Sequence, residues 1–225
     1  KYLSPKEIKG NIDSQFAIFG NKHTWIMTII YTMTFGSFIG FAASFPKLIQ
    51  DIFGGEINPM TYAFLGPLLG ALIRPIGGWL SDKVNSGAAV TAWSTVLQIV
   101  SAAAVAYYII QARELAALSG PAEAAAQYWW PFFWSFMLLF AGTGLGNGST
   151  FRSIPYIFNK AQVGPVLGWT AAIAAYGAFI IPQLFGAQIK AGHAENAVYA
   201  FIAYYVVCLV LNWWYYDRKN SGIKC

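Results

Sequence analysis

The chain has 225 residues, of which 57% are hydrophobic, 17% aromatic and only 10% charged, against about 25% charged in a soluble domain. Such a composition cannot clothe a water-facing surface, and the net charge of +5 is scattered between apolar blocks with no basic stripe, which excludes nucleic acid as a partner. Cys208, inside an apolar block, and Cys225 have neither CxxC spacing nor a neighbouring histidine, so no disulfide framework, metal site or other cofactor is indicated.

In chain order, residues 1–22 carry Pro5, Gly10 and several charges and read as a cytoplasmic linker. The first residue is Lys1, with no charged-then-apolar leader behind it, and the chain reads as a segment of something longer. Six apolar blocks follow, at 25–45, 59–80, 88–110, 129–151, 166–185 and 197–215, each near the ~20 residues a helix needs to cross the hydrocarbon. They predict an all-α membrane protein, a six-helix bundle over 23–216 with a short tail at 217–225. The stretch 112–126, with Ser119-Gly-Pro121 in it, reads as a surface loop on the far side. Lys1, Lys6, Lys9, Lys22, Lys83, Arg152, Lys160, Arg218, Lys219 and Lys224 fall on one side, and only Lys47, Arg113 and Lys190 on the other. The positive-inside rule then puts both termini in the cytoplasm, for a multi-pass protein of the inner (plasma) membrane. Trp25, Trp129, Trp130, Trp213 and Trp214 stand where spans meet headgroups.

One charge lies well inside a span. Arg74 costs about 2.5–3.5 kcal/mol at the centre of a membrane helix on insertion scales. It is about two turns from the cytoplasmic end, so snorkelling to the headgroups is the bland account. Two facts oppose it. The span runs inward, and side chains tilt toward a helix N-terminus, which carries the guanidinium toward the midplane. Gly66, Gly70, Arg74 and Gly78 are spaced by four, so Arg74 lies on a small-residue stripe that faces other helices or a cavity. The spans hold no Asp or Glu to pair with it, which points to an anionic ligand. A planar guanidinium donates two parallel hydrogen bonds to a flat oxyanion, which an ammonium does not.

The remaining constellations support a path through the bundle. Tyr31, Phe35 and Phe38 form an aromatic stripe in the first span; packing is the ordinary role of such a stripe, while a pore-facing Tyr hydroxyl donates to an anion and Phe faces sandwich a flat one. The run Gly142-Thr-Gly-Leu-Gly-Asn-Gly-Ser-Thr-Phe-Arg152 follows an apolar helix instead of a strand, so it is no phosphate loop. It reads as a close-packing face on which Asn147 and Thr150 hydrogen-bond across helices or line a path. The fifth span is similarly small-residued, with Gly168, Ala171, Ala172, Ala175, Ala178 and then Pro182, which lets helices rock past each other. Between the second and third spans stands Gly78-Trp-Leu-Ser-Asp-Lys83, with Gly87 allowing a tight exit and Asp82 able to complement a neighbouring helix N-terminus.

That last loop resembles the G-x-L-x-D-R/K element of the major facilitator superfamily. Together with Trp25-Ile-Met27, Thr34-Phe-Gly-Ser-Phe-Ile-Gly-Phe41, Phe64-Leu-Gly-Pro67, Gly70-Ala-Leu-Ile-Arg74, Gly144-Leu-Gly-Asn-Gly-Ser-Thr-Phe151 and Phe179-Ile-Ile-Pro182, the chain resembles the C-terminal half of a NarK-type nitrate/nitrite porter. The resemblance implies spans seven to twelve of a twelve-span carrier, with Arg74 clamping nitrate or nitrite, Tyr31 and Phe35 as its partners, and Gly78, Asp82 and Lys83 as a gating motif. It also implies a glycine-rich approach to substrate in the fifth span; Ala174 and Ala178 replace two of its glycines and leave Gly177. A second substrate arginine belongs to the N-terminal six-helix half, the expected partner in the bilayer. Alternating access by nitrate/nitrite exchange is expected over nitrate/proton symport, because the spans offer no titratable group. An enzyme subunit binding haem or quinone is the rival class, but His23 and His193 lie outside the spans and far apart. An open channel has little support.

Overall fold

A computed structural model describes residues 15–219, 221, 223 and 225; most of the predicted linker and part of the tail lie outside these residues. The described residues fold into six joined helical rods. We label them α1 (Lys22–Ile52), α2 (Pro59–Val84), α3 (Gly87–Ser119), α4 (Pro121–Ile157), α5 (Lys160–Lys190) and α6 (Glu195–Asp217). All but α4 are long and apolar enough to cross a membrane. α4 is the longest, at 37 residues, but its C-terminal half is rich in Gly, Ser, Thr and Asn. Those residues lower its hydropathy because it is the central rod, packed on α2 and α3 and touching α1.

Local chemistry sets the ends. Asn21 caps α1 by accepting from the His23 amide, Asn58 caps the Pro-led start of α2 through the Met60 amide, and Ser86 caps α3 through the Ala89 amide. The tight exit from α2 is made by Asn85, in the left-handed region at φ 55°, and not by Gly87. Gly87 instead gives close approach, since a Cβ there would strike the Ser153 hydroxyl. The loop expected at 112–126 is helical. α3 runs to Ser119, Gly120 turns at φ 94°, and Pro121 opens α4. Alanine, leucine and glutamate there are strong helix formers, so both rods outrun the bilayer: 33 residues extend about 50 Å against about 30 Å of hydrocarbon. The projecting end of α3 is tied to the start of α6 by Arg113, which donates to both Glu195 carboxylate oxygens at 2.7 Å and to the Gly192 carbonyl at 2.7 Å.

The core divides by depth. Toward the α1–α2 connection α1 meets α4 through aromatic rings, with Phe45 stacked on Phe136 at 4.4 Å and Phe41 edge-on to it at 5.7 Å. Toward the α2–α3 connection the contacts are small and polar: Thr34 to Thr150 at 3.3 Å, and Thr91 to Ser149 at 2.8 Å. α2 packs on α4 by backbone contact. A Cβ on Gly144 would collide with the Gly70 carbonyl, one on Gly148 with the Arg74 carbonyl, and one on Gly77 with that of Leu145. The stripe of α2 is therefore its α4-facing seam, and Arg74 sits on it.

Two rods are irregular at one depth. α1 widens into a π-turn at Thr32–Gly36 and α5 breaks at Tyr176. They cross there so closely that a Cβ on Gly177 would lie 2.8 Å from the Gly36 Cα. The Tyr204 hydroxyl of α6 donates to the Ile29 carbonyl at 2.7 Å, supplying a donor beside the turn.

Candidate functional site

The site lies where α1, α2 and α4 meet at the boundary between the aromatic and the polar halves of the core. Arg74 is partly buried, and its guanidinium carbon stands 5.2 Å from the Phe151 ring centre and 5.9 Å from that of Phe35. The Tyr31 hydroxyl lies near this guanidinium. Tyr31 itself is buried and packs on Phe35 at 5.5 Å and on Phe151 at 6.3 Å. Two rings thus flank one cation, and their negative faces offset part of the cost of holding charge away from water. They supply no full negative charge: among the described residues, no Asp or Glu forms an ion pair with Arg74. A cation so held is stabilised enough to stay and left short of a counter-charge, which is the condition for taking up an anion.

Asn147 lies one turn from Phe151 on α4. Its neighbour Gly148 abuts the Arg74 backbone and Thr150 touches Thr34, so by helical phase Asn147 and Phe151 share the face between α1 and α2. Asn147 is 2% exposed and its side-chain oxygen has no hydrogen-bond partner, an amide held in reserve at the groove. Gly177 is placed differently. It is on α5, on the far side of α1, where its carbonyl and α-carbon press on Gly40 and Gly36; it shapes the π-turn that carries Phe35 and does not join the ring around Arg74.

At the inner end the three motif residues separate. The Asp82 carboxylate accepts from Arg152 Nε at 2.9 Å, joining α2 to α4, and the Arg152 guanidinium lies 4.0 Å over the Tyr156 ring. Lys83 lies over Trp79 at 5.1 Å, and Gly78 passes near the Gly148 carbonyl. Asp82 is not a helix cap but one arm of a latch between the two helices that carry Arg74 and Phe151. Its side chain is 68% exposed while that of Arg152 is 10% exposed. We expect Asp82→Asn to lower stability by about 1 kcal/mol or less, with anion affinity unchanged and exchange rate altered several-fold. Melting temperature, binding isotherm and counterflow rate of the complete protein check the three parts.

Two features escaped the sequence reading. Phe151 is separated from Arg74 by more than seventy residues, and nothing in its own segment marks it as a partner. The buried face of α3, with Thr91, Ser94, Thr95, Gln98 and Ser101, was visible as polar residues at helical spacing in an apolar block, and it backs the groove against α4 and α1.

An all-helical membrane bundle with an interior arginine on a glycine seam is the architecture of a major-facilitator-type transporter domain. No protein-family model matches the chain, but individual relatives do. The probable nitrate/nitrite antiporter NarK2 of Thermus thermophilus is 42% identical over 228 residues, covering 100% of this chain and 48% of that protein. The nitrate/nitrite transporter NarU of Escherichia coli K12 is 32% identical over 96% of this chain and 48% of its own length. The nitrite extrusion protein of Bacillus subtilis 168 is 26% identical over 83% and 42% respectively. The chain is homologous along its whole length to the NarK-type nitrate/nitrite transporters of the major facilitator superfamily, and it spans about half the length of the relatives it matches.

Proposed function

We propose that this chain supplies one half of a carrier that moves nitrate and nitrite across the membrane by alternating access, exchanging one anion for the other, and that it is a transporter and not an enzyme. The observation that carries this reading is the Arg74 guanidinium set between Phe35 and Phe151, near the Tyr31 hydroxyl and paired with no carboxylate among the described residues. A planar, monovalent oxyanion fits both features: its edge takes the guanidinium fork and its face lies against a ring. The relatives are named for nitrate and nitrite, which selects those anions among planar oxyanions.

The partner in this reading is the N-terminal six-helix half. Only 22% of the apolar window of α2 and 28% of that of α5 are buried, against 61% for α1. Leu68, Leu72 and Ile76 on α2, with Phe179 and Ile180 on α5, are exposed and suit cover by a second bundle, which would close the groove over Arg74. Both termini on the cytoplasmic side follow from the Lys and Arg distribution.

Exchange, not proton symport, suits a site whose ring of residues contains no carboxylate or histidine. In proteoliposomes holding the complete protein, nitrate uptake is expected to require nitrite or nitrate on the far side and to be insensitive to an imposed pH gradient. Uptake driven by the pH gradient in vesicles without a counter-anion would overturn the exchange reading.

A further inference from the structure

The inner ends of α1 and α6 enclose a second cationic pocket, away from α2 and α4. α6 ends in a π-turn at Trp213–Asp217, after which the backbone leaves extended at Arg218, with ψ 148°. The turn folds Arg218 back over the helix end, where its amide donates to the Trp213 carbonyl at 3.0 Å and its guanidinium lies 4.5 Å over the Trp214 ring. α1 begins beside it. Lys22 Nζ is 5.7 Å from the Tyr215 ring centre, and His23 Nδ1 is 3.0 Å from the Tyr216 hydroxyl. Between them is a pocket of about 360 Å³ lined by Lys22, His23, Trp214, Tyr215 and Arg218, with Ser221 and Ile223 as its floor.

Its charge is one-sided. Among the described residues no carboxylate lines it, and neither Lys22 nor Arg218 forms an ion pair. Arg218 Nε is buried with no acceptor, and a buried N–H left unpaired costs more than the hydrogen bond it lacks is worth. Ser221 is already committed, donating to the Tyr216 and Ile223 carbonyls. What is missing is therefore an acceptor carrying negative charge. The depth of the pocket says where that acceptor comes from. Trp213 and Trp214 are each 50% exposed at the end of a membrane-length helix, the level where indole rings sit among headgroups.

We propose that this pocket binds the phosphate of an anionic phospholipid headgroup, with the Arg218 guanidinium and Lys22 Nζ as its charged donors and Trp214 packed against the glycerol. A phosphodiester brings an acceptor to the Arg218 guanidinium, and its charge answers two cations that the described residues leave uncompensated. Free phosphate offers the same oxygens without the apolar tail.

The test is native mass spectrometry of the complete protein in mild detergent doped with phosphatidylglycerol or phosphatidylcholine. We expect retention of phosphatidylglycerol over phosphatidylcholine, falling about fivefold for Lys22→Gln, an exposed position where refolding is not at issue, and further for Lys22→Gln with Arg218→Gln. Lys190→Gln, at the opposite end of the bundle, is expected to change nothing. Equal retention of the two lipids, or wild-type retention in a folded double variant, would overturn the proposal. So would a phosphate-dependent rise in melting temperature, lost in the double variant, without phosphatidylglycerol retention; that result assigns the pocket to a soluble anion.

Discussion

Arg74→Lys in the complete protein is expected to weaken nitrate binding about 10- to 100-fold, since one charge-assisted hydrogen bond is worth about 1.5–3 kcal/mol and each 1.4 kcal/mol is tenfold in affinity. The substitution keeps the charge and most of the stem. What it removes is the planar fork: an ammonium beside Phe35 and Phe151 still attracts an anion, but holds it by one point instead of two parallel donors. The aromatic faces at 5.9 and 5.2 Å stabilise either cation, so the variant should reach the membrane in normal amount. Equilibrium nitrate binding by calorimetry, set beside membrane abundance, separates loss of the site from loss of the protein. Arg74→Gln, which removes the charge as well, is expected to abolish measurable binding.

Gly148→Leu is expected to be the most disruptive single change in the bundle. A Cβ at this position would meet the Arg74 carbonyl and lie 2.8 Å from the Gly78 amide nitrogen and 3.1 Å from the Arg74 carbonyl carbon. These are backbone atoms in the middle of a helix, so relief comes only by moving α2 off α4. Overpacking of this kind costs about 1–3 kcal/mol or more, and here the displaced backbone is that of Arg74 itself. Loss of thermal stability and loss of anion binding should therefore appear together. Leucine at Gly164, where an added Cβ meets nothing within 4 Å, is the control and is expected to leave both unchanged. Melting temperature in detergent and nitrate affinity read the two effects.

The spans were legible because membrane crossing is a requirement on length and composition that every rod but α4 meets by itself. The seam of α2 was legible for a related reason, since a spacing of four places Gly66, Gly70, Arg74 and Gly78 on one face whatever they pack against. Helix propensity prevailed over the turn signal at 112–126: Ser119-Gly-Pro121 needed only one left-handed residue, Gly120, to reverse the chain, and the flanking alanines kept the helices going. The π-turn at Thr32–Gly36 has no signature in its own segment. It belongs to the crossing with Gly177 and Ala174 on another rod, and contacts across more than a hundred residues are not written in either segment. Phe151 was missed for the same reason. Asp82 was read as able to complement a neighbouring helix N-terminus, and its partner is a buried arginine on α4.

An experimental structure of the complete protein with nitrate bound tests the central claim most directly. The account predicts a planar anion within hydrogen-bond distance of the Arg74 guanidinium and the Tyr31 hydroxyl, with its face against Phe35 or Phe151. A carboxylate from the rest of the protein paired with Arg74, or nitrate bound elsewhere with that guanidinium turned out to the headgroups, would contradict it.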